Sequence, residues 1–438
     1  MARNNKIADD GMVQDLTKRV RSTTDHVVSV KFYGAKGDGA TLDSAAINAC
    51  IAANPGATIL IPAGTYMIDP TIPVNLNQPG TTIRMSAKAV LKMQTTDLAN
   101  YSIVVVNADD CAIVGGTVMG DVSTHTGSTG EWGHGINVQP GSTANRLLID
   151  GVTAKNCWGD GFYIGGASAD ITLRNCRADT NRRNGLSITG GSRILVQGGH
   201  YLNTGAIVGT APMAGIDVEP NPSSGNDAIE ILIIGVQASS NFGAGIECVR
   251  ASGQTSRLRV CDSIMAANHT AGFLSAGTAG SMSVELENNL YEYNSTYGIH
   301  TTAPGVNIQG GKTFGNTLSG AWFASTVNIQ GLLSSYNSQH GVAFAPGADG
   351  SLMSNCIVRD NCTGAATSYY EILVSAPSVA VIGTYAKPAT SGNRALYGFA
   401  VTGGGSTCTI SFCRSGSGTS GQAAVLGDTV QTPLLSSV

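Results

Sequence analysis

Acidic side chains are concentrated on two neighbouring segments of this 438-residue chain. Asp217 and Glu219 lie two residues apart in AGIDVEP, and Glu247 occupies the position of Asp217 in a similar string, AGIECV. Residues two apart in a strand face the same side, and stacked strands would put Asp217 and Glu247 about 4.8 Å apart. Such crowding raises the pKa of at least one carboxyl group. A protonated acid beside an ionised carboxylate is the pair that glycosidic hydrolysis requires; a solvated acidic patch or a calcium site is the alternative.

A fourth carboxylate, Asp160 in NCWGDGFYI, completes the predicted catalytic set of Asp160, Asp217, Glu219 and Glu247. An Asp before Gly is also common in turns, which is its simpler interpretation. Nearby aromatic rings could stack on sugar faces, and arginines could hold sugar carboxylate or sulfate groups. The predicted substrate-binding residues are Trp132, His134, Trp158, Tyr163, Arg182, Arg183, Asn184, Arg250 and His300. No phosphate loop or zinc spacing is present, so we expect no cofactor and no metal other than a possible calcium ion.

A repeat of about 25 residues must position these side chains. The string Gly-apolar-x-apolar recurs with its glycine at 135, 161, 185, 215, 245, 272, 298, 320 and 341, and a second strand-like run follows each copy. An asparagine recurs near the end of each later unit, at Asn241, Asn268, Asn294, Asn316, Asn337 and Asn361. Short strands, turn residues at fixed phase and no helical period predict an all-β fold, a right-handed single-stranded parallel β-helix of about eleven coils. The asparagines should stack in a line at one turn.

Aligning the units predicts two columns on the outer face of one sheet. The outward column, the x position, contains Asn137, Tyr163, Ser187, Asp217, Glu247, Leu274, His300, Trp322 and Ala343. The pre-glycine column contains His134, Asp160, Asn184, Ala214, Ala244, Ala271, Tyr297, Ser319 and His340. The long intervals on either side of Gly215 leave room for lateral loops beside Asp217, and loops on a rigid scaffold often carry binding sites.

The composition agrees with a soluble β-rich chain. Charged residues make up 12%, the formal net charge is −4 and 57 residues are glycine. This balance excludes an electrostatic grip on nucleic acid or an anionic membrane, and no apolar stretch is long enough to span a bilayer. The ten cysteines are predicted to be mostly free core fillers in a chain that folds in a reducing compartment, although a Cys408–Cys413 bridge is an alternative.

The segment at 27–68, with VKFYGAKGDG, DSAAI and ILIPAGTY, resembles the N-terminal signature of the pectate-lyase-like superfamily, and the repeats extend the likeness to about residue 365. LDSAAINACIAA should form one short cap helix that begins at Asp43 or Ser44. The superfamily includes hydrolases, lyases, epimerases, phage tailspikes and inactive scaffolds, so the resemblance is specific for the fold. The N-T-D motif of its polygalacturonases is missing, and the GHG at His134 precedes the acidic strings instead of following them.

The resemblance to tailspikes implies four segments: an attachment segment at 1–26, a cap at 27–68, a β-helix with a groove at 69–390, and an irregular C-terminal β region at 391–438 with a possible trimer contact. The polar N-terminus lacks the apolar core of a signal peptide. We therefore expect a phage tailspike-like glycoside hydrolase that depolymerises a bacterial lipopolysaccharide or capsule. It would be a homotrimer, bound to the phage tail or baseplate, assembled in the host cytoplasm and acting outside the cell, with no nucleic acid or membrane partner.

Two other functions are compatible with the same residues. A lyase or epimerase on a uronic-acid polymer would move the C5 proton with Tyr163 or His134 and neutralise the sugar carboxylate with Arg182 or Arg183. A receptor-binding spike without catalysis would use the same groove. For a hydrolase, adjacent coils predict a close Asp217–Glu247 pair and retention, whereas pairing with Asp160 predicts inversion, which the resembled glycosidases favour.

Overall fold

The structure, a computed structural model, consists of three parallel β-sheets that run along the length of the molecule. The structure describes residues 26–139, 141, 143–220, 228–250, 255–277, 282–364, 368–389, 395–402, 407–415, 424–425 and 436–437. Successive coils contribute one strand each to sheet 1, sheet 2 and sheet 3, in that order, and each strand pairs in parallel with its counterpart one coil away. The predicted parallel β-helix is confirmed.

Sheet 1 contains 15 strands and sheet 2 contains 16. The strands of sheet 1 are Val27–Ser29, Thr58–Ile61, Thr82–Met85, Ala112–Val114, Leu148–Asp150, Ala169–Arg174, Ser192–Gln197, Ala228–Ile234, Thr255–Cys261, Ser283–Glu287, Val306–Gln309, Val327–Gln330, Leu352–Ser354, Ala380–Ile382 and Thr409–Ser411. The strands of sheet 2 are Asp38–Leu42, Gly64–Ile68, Ala89–Met93, Thr117–Met119, Thr153–Lys155, Arg177–Asp179, His200–Leu202, Gln237–Ser239, Ile264–Ala266, Leu290–Glu292, Lys312–Phe314, Leu333–Ser335, Ile357–Arg359, Tyr385–Lys387, Arg414–Ser415 and Ser436–Ser437.

Sheet 3 contains 14 strands and carries the Gly-apolar-x-apolar strings. Its strands are Val74–Leu76, Asn100–Val106, Trp132–Val138, Phe162–Ile164, Leu186–Ile188, Ile216–Val218, Ile246–Arg250, Phe273–Gly277, Ile299–Thr301, Ala321–Phe323, Val342–Phe344, Ile372–Val374, Phe399–Val401 and Ala424–Val425. The coils therefore outnumber the eleven predicted. The first two strands precede the earliest glycine string at Gly135, and the last three, at Ile372–Val374, Phe399–Val401 and Ala424–Val425, follow the last string at Gly341, so these five strands lie outside the repeat pattern.

Alternation within each short strand builds one continuous core along the axis. Ile216 and Val218 point inward on either side of Asp217, and Ile246 and Cys248 do the same beside Glu247; all four apolar side chains are fully buried. Each such side chain contributes about 1.5–3 kcal/mol when removed from water. The interior packing therefore fixes the backbone that presents the outward column.

Glycine recurs in the string because two neighbours approach it closely. A Cβ added at Gly245 would lie 2.7 Å from the carbonyl oxygen of Gly272 and 2.8 Å from Asn268 Nδ2. Both distances are shorter than real Cβ contacts allow, so a side chain at this position would push the coils apart. The glycine and the stacked asparagine are thus two parts of one packing arrangement.

The six asparagines form a buried ladder, as predicted. In each step the Oδ1 of one asparagine accepts from the backbone N–H and the Nδ2 of the asparagine in the preceding coil. Asn268, for example, donates to Asn294 Oδ1 at 3.1 Å and 3.0 Å, and Asn294 donates to Asn316 at 3.0 Å and 2.9 Å. The same pairs continue from Asn241 to Asn361. The ladder satisfies buried polar groups at the turn between sheet 2 and sheet 3.

The ladder ends on a buried carboxyl group that the sequence did not reveal. Strand pairing aligns Arg359 with Lys387, so Ala389 occupies the place of the next asparagine. Glu371 fills this gap: its Oε1 and Oε2 accept from the backbone N–H and Nδ2 of Asn361 at 3.1 Å and 2.6 Å. Burial raises the pKa of the Glu371 carboxyl group to about 8.

The N-terminal cap contains a 3-10 helix at Val30–Tyr33 and helix α1 at Ser44–Ala53, which confirms the predicted cap helix. Asp43 is its N-cap residue, but the carboxylate does not cap the helix; it accepts from the backbone N–H groups of Lys36 and Gly37 at 2.6 Å and 2.9 Å. Helix α1 buries Ile47, Cys50 and Ile51 against the first coils.

All ten cysteines are free and buried, including Cys408 and Cys413, which supports their role as core fillers. Over the described ranges, no helix has the length and apolar character needed to cross a membrane. The predicted attachment segment at 1–26 falls outside the described residues except for His26, and so does most of the predicted C-terminal region at 391–438.

Candidate active site

The outward column predicted from the sequence is confirmed by strand register. Tyr163 pairs with Ser187, Ser187 with Asp217, and Asp217 with Glu247. The column continues through Leu274, His300, Trp322 and Ala343. Asp217 and Glu247 therefore lie on adjacent coils and on the same face of sheet 3, and their backbones are about 4.8 Å apart.

Asp217 is held in a buried, partly unsatisfied environment. Its side chain is 1% exposed, and its Oδ2 accepts from Asn184 Nδ2 at 3.0 Å. The orientation of the Asn184 amide is fixed because its Oδ1 accepts from the backbone N–H of Ala214 at 2.9 Å. Asp217 Oδ1 has no hydrogen-bond partner among the described residues. Burial, and then the nearby Glu247 carboxylate, raise the pKa of Asp217 well above its usual value.

Glu247 and Glu219 complete the acidic group at its outer side. Burial and the charge of Glu219 raise the pKa of Glu247 to about 7. The side chain of Glu219 is 49% exposed, and its Oε2 lies 4.0 Å from Arg183 Nη2. Glu247 is therefore poised to titrate near neutral pH, and the pKa of the neighbouring Asp217 is shifted in the same direction.

Arg183 is the cation at the centre of this group, which we call the carboxylate cluster: Asp160, Arg183, Asp217, Glu219 and Glu247. Its Nη1 lies 3.3 Å from Asp160 Oδ2 and donates to Ser187 Oγ at 3.2 Å. Its Nε lies 3.4 Å from Glu131 Oε2. Arg183 thus neutralises part of the acidic charge and joins Asp160 to the outer carboxylates.

Asp160 is fully buried, and its Oδ1 accepts from the backbone N–H of Asn184 at 3.0 Å. Burial raises its pKa to about 6, against the lowering effect of Arg183. His134 Nδ1 lies 3.4 Å from Asp160 Oδ2 and accepts from the Asp160 backbone N–H at 3.3 Å. Burial lowers the pKa of His134 to about 3, so the imidazole is neutral and this contact is a polar one, without an ion pair.

Tyr163 and His134 form the floor of a groove that begins N-terminal to the carboxylate cluster. Their rings stack with centroids 4.6 Å apart, and the Tyr163 hydroxyl accepts from Thr189 Oγ1 at 2.8 Å. Trp132, 53% exposed, stands at the groove wall. The groove has a volume of about 460 Å³ and is lined by Pro70, Pro73, Asn100, Tyr101, Ser102, Val105, Trp132, His134, Asn137, Gln139 and Tyr163.

Trp158 and Arg182, both predicted to bind substrate, lie instead in a buried cluster beneath the groove wall. The Arg182 guanidinium carbon is 4.0 Å from the centroid of the Trp158 ring, and Arg182 Nη1 donates to the Gly130 carbonyl. Trp158 stacks on His125 at 3.7 Å and donates from Nε1 to the Thr129 carbonyl at 3.2 Å. Both residues hold the segment at Thr129 and Gly130, whose position no repeat in the sequence predicts.

His300 and Arg250 are not brought into the carboxylate cluster. His300 is in the outward column two coils beyond Glu247, with its ring 4.8 Å from that of Tyr297. The side chain of Arg250 lies outside the described residues, although its backbone ends the strand that carries Glu247. The predicted lateral loop at 220–227 is described only at Pro220.

Sequence reasoning missed two kinds of functional candidate. Glu131, beside Arg183, adds a fifth carboxylate next to the carboxylate cluster but belongs to no repeat column. Aromatic rings at Tyr297, Trp322, Tyr370 and Tyr397 continue the same face beyond Glu247. Tyr297 lies in the pre-glycine column and Trp322 in the outward column. Their place in these predicted columns could therefore have identified both rings as candidates for substrate binding.

In the described ranges, no group of three or more His, Cys, Asp or Glu side chains is arranged to hold a metal ion. A calcium site near Asp217 stays a prediction. The chemistry apparent in the geometry is acid–base chemistry by carboxyl groups with raised pKa values.

Two family models match the chain. Residues 27–96 match the rhamnogalacturonase A/epimerase, pectate lyase-like family, and residues 101–309 match the right-handed β-helix region. The uncharacterized protein YclG of Bacillus subtilis is 30% identical over 223 residues, which cover 44% of this chain and 38% of YclG. The chain spans less than half the length of the curated relatives it matches.

Solved structures of two phage proteins have the same fold. The N-terminal fragment of gene product 12 of bacteriophage Phi29 aligns with a TM-score of 0.55 at 13% identity, covering 93% of this chain and 84% of that one. The Dettilon tailspike protein aligns with a TM-score of 0.51 at 15% identity, covering 88% and 68%. At these identities the similarity concerns the fold alone. The chain is thus a right-handed parallel β-helix whose residues 27–96 are similar to the pectate lyase-like family.

Proposed function

We propose that the protein is a glycoside hydrolase that depolymerises a bacterial surface polysaccharide, with Asp217 and Glu247 as the catalytic pair. The observation that carries this proposal is their register: a buried carboxyl group with one unpartnered oxygen stands one coil from a partly buried carboxyl group with a pKa near 7. Glycosidic hydrolysis needs one group that holds a proton and one that does not.

Asp217 is assigned as the general acid, because burial and the Glu247 charge both keep its proton on. Asn184 fixes its Oδ2 and leaves Oδ1 to donate to the glycosidic oxygen. Glu247, which is less buried than Asp217, is assigned as the ionised partner that acts on the anomeric carbon or on water. Adjacent coils favour the shorter separation of about 5 Å, and therefore a glycosyl-enzyme intermediate and retention.

Asp160 is assigned a positioning role. Arg183 and the Asn184 backbone N–H engage its carboxylate, so Asp160 holds the two residues that contact Ser187 and Asp217. Glu219, half-exposed at the edge of the cluster, raises the pKa of Glu247 and is available to a sugar hydroxyl group. Inversion through Asp160 would require a water molecule between this buried group and the sugar.

The charge of the groove favours hydrolysis over uronate chemistry. A lyase or epimerase must neutralise the sugar carboxylate with a cation. In the described part of the groove, Arg183 lies within 4.0 Å of Asp160, Glu131 and Glu219, and Arg182 is buried against Trp158 and the Gly130 carbonyl. The carboxylates near Arg183 outnumber it, so an anionic sugar would be repelled.

The biological setting is part of the proposal. The two phage proteins of the same fold support a virion-associated polysaccharide-binding protein. A homotrimer, attachment to the tail or baseplate through residues 1–26, assembly in the host cytoplasm and action outside the cell follow from the tailspike resemblance. A monomer in light scattering at micromolar concentration would contradict the trimer.

The test is incubation with a panel of purified lipopolysaccharides and capsules, followed by mass analysis of released oligosaccharides. We expect saturated oligosaccharides that are absent with Asp217→Asn and Glu247→Gln, while Asp170→Asn, which removes an exposed carboxylate on sheet 1, retains full activity. Products that absorb in the ultraviolet as unsaturated uronates would identify a lyase. Binding without any product would identify a receptor-binding spike, and full activity in both variants would overturn the residue assignment.

A further inference from the structure

Beyond Glu247, the two columns of sheet 3 change character and carry rings in place of carboxylates. Strand and backbone pairing extend the outward column to Leu373 and Ala400, and the pre-glycine column to Tyr370 and Tyr397. We call the rings on these columns the aromatic track. Its members are Tyr297, His300, Trp322, His340, Tyr370 and Tyr397.

The rings of the aromatic track form two groups in contact. Tyr297 lies 5.8 Å from Trp322 between ring centroids, with an interplanar angle of 35°. Tyr370 stacks on His340 at 5.6 Å and 12°, and on Tyr397 at 6.1 Å and 17°. The four tyrosine and tryptophan rings are half-buried, so part of each ring is open to solvent. Tyr370 lies between His340 and Tyr397 and is therefore flanked by a ring in the coil on either side.

Neither column carries a charged group from Leu274 to Ala400, and Glu371, which occupies the glycine position between the two columns, is buried at the end of the ladder. Burial lowers the pKa of His340 to about 4 and lowers that of His300, so both imidazoles are neutral at pH 7. The surface is therefore apolar and uncharged. It suits the less polar face of a neutral sugar ring and offers nothing to a polyanion.

The position of the track follows from the coil repeat. Tyr297 is two coils beyond Glu247 and Tyr397 is six, which at about 4.8 Å per coil is about 10 Å and about 29 Å along the axis. The track is continuous with the carboxylate cluster, because both stand on the same two columns. A polymer lying in the groove would reach it without bending.

We infer that the aromatic track is a second saccharide-binding site, which holds a neutral stretch of polysaccharide by ring stacking at a distance from the carboxylate cluster. This inference rests on the proposed function for its choice of ligand. Stacking on the track would raise the affinity for long chains and contribute nothing to the bond cleavage itself. Short products that reach only the carboxylate cluster would leave.

The test uses Asp217→Asn as an inactive background and adds Trp322→Ala or Tyr370→Ala. The control is Tyr336→Ala, which removes a 50% exposed ring at the corner after sheet 2, outside the two columns. The probes are gels cast with each purified lipopolysaccharide or capsule from the panel, and mobility measures affinity. We expect each track variant to bind about 3–10-fold more weakly and the control to be unchanged. Trp322→Tyr should restore most of the affinity.

The outcomes separate the two proposals. Unchanged retardation in both track variants overturns the aromatic track, even if the polymer is cleaved normally by the parent protein. Track-dependent retardation without any cleavage supports the track and overturns the hydrolase. A change of oligomeric state in light scattering, with unaltered polymer binding, would make the track an interface between copies. Failure of every polymer to retard the protein contradicts both proposals.

Discussion

The two halves of sheet 3 use one scaffold for opposite surfaces. From His134 to Glu247 the columns carry carboxyl groups and amides as well as the His134 and Tyr163 rings, with Asp160 and Asp217 buried and Arg183 beside the columns. From Leu274 to Ala400 the same columns carry neutral rings and small apolar side chains. Strand spacing, inward packing and the asparagine ladder are shared by both, so the difference lies only in side chains that contribute little to the core.

This contrast explains how a repetitive fold can carry an asymmetric site. The acidic half contains groups whose proton affinity is altered by crowding and burial, which is costly to the folded state. The aromatic half gains stability from the same burial. The two proposals thus place catalysis and polysaccharide binding on different coils.

The largest expected effect is on turnover. Asp217→Asn or Glu247→Gln should lower kcat by about 10²–10⁴-fold, because each removes a proton donor or an ionised partner and keeps the shape. Substitutions in the aromatic track should leave kcat at saturating polymer within a factor of two or so of the parent. Initial rates of reducing-end release measure both. A kcat loss in Trp322→Ala as large as that in Asp217→Asn would contradict the proposed division of sheet 3 into a catalytic half and a polysaccharide-binding half.

The second effect concerns the ladder that both halves share. Asn294→Ala removes an acceptor for Asn268 and a donor to Asn316 and to the Met265 carbonyl at 3.1 Å. Each buried group left unsatisfied costs about 1–3 kcal/mol, so the free energy of unfolding should fall by at least that amount. Denaturant unfolding measures it. Asn307→Ala, which removes an exposed amide pair with Asn328, is the matched control and should change little.

The third effect is the pH dependence of stability. Glu247 and Glu371 have folded pKa values of about 7 and about 8, raised from 4.5, so the folded state binds more protons than the unfolded chain in this range. Their stabilisation is complete below the unfolded pKa and is lost as pH rises through the folded values. The pKa values of His134, His300 and His340 are lowered in the folded state, so these groups oppose part of the loss, and their effect is nearly complete above about pH 7.5, one unit beyond the ordinary histidine pKa.

The midpoint of thermal unfolding should therefore fall between pH 6.5 and pH 8. Glu247→Gln should reduce the fall and raise the midpoint at pH 8, by about 2–4 °C per kcal/mol recovered. Glu371→Gln should also reduce the fall, but its amide nitrogen replaces one of the two oxygens that accept from Asn361, so its midpoint should be lower than that of the parent at pH 6.5. Calorimetry at the two pH values compares one variant from each half of sheet 3. A midpoint that rises with pH in the parent protein would contradict the assigned shifts.

The smallest effect is expected at the groove wall. Trp132→Ala removes a ring that is 53% exposed and packs little, so polymer affinity should weaken by about 2–10-fold while the unfolding midpoint stays nearly constant. KM for polymer hydrolysis and thermal unfolding give the two readings. An unchanged KM would restrict sugar stacking to the coils beyond Glu247.

The sequence predicted the register of the site because the glycine phase is fixed by packing. Gly215 and Gly245 must each admit a ladder asparagine and a carbonyl from the next coil, so aligning the glycines aligned Asp217 with Glu247. The coil count was too low where coils lack that string, as in the strands Val74–Leu76 and Asn100–Val106.

The remaining features depend on contacts without a periodic signature. The burial of Trp158 and Arg182 is decided by the segment that supplies the Thr129 and Gly130 carbonyls, which no repeat describes. Glu371 stands where the earlier coils have glycine, and only the missing asparagine at Ala389 explains its buried carboxyl group. The Trp158–Arg182 contacts and the Glu371 carboxyl group each compensate for a local irregularity in the repeat. A search for periodic patterns does not detect such irregularities.

The in-phase register of sheet 3 has a consequence for how such a protein can diverge. Because each coil adds one fixed step of about 4.8 Å, the separation between Glu247 and Trp322 can change only by whole coils. Loss or duplication of the coil that carries Leu274 would shorten or lengthen it by one step and leave every other pairing intact. The distance between the two proposed sites is therefore set in whole coils. A single in-frame insertion or deletion of one repeat would change the length of polysaccharide that spans them.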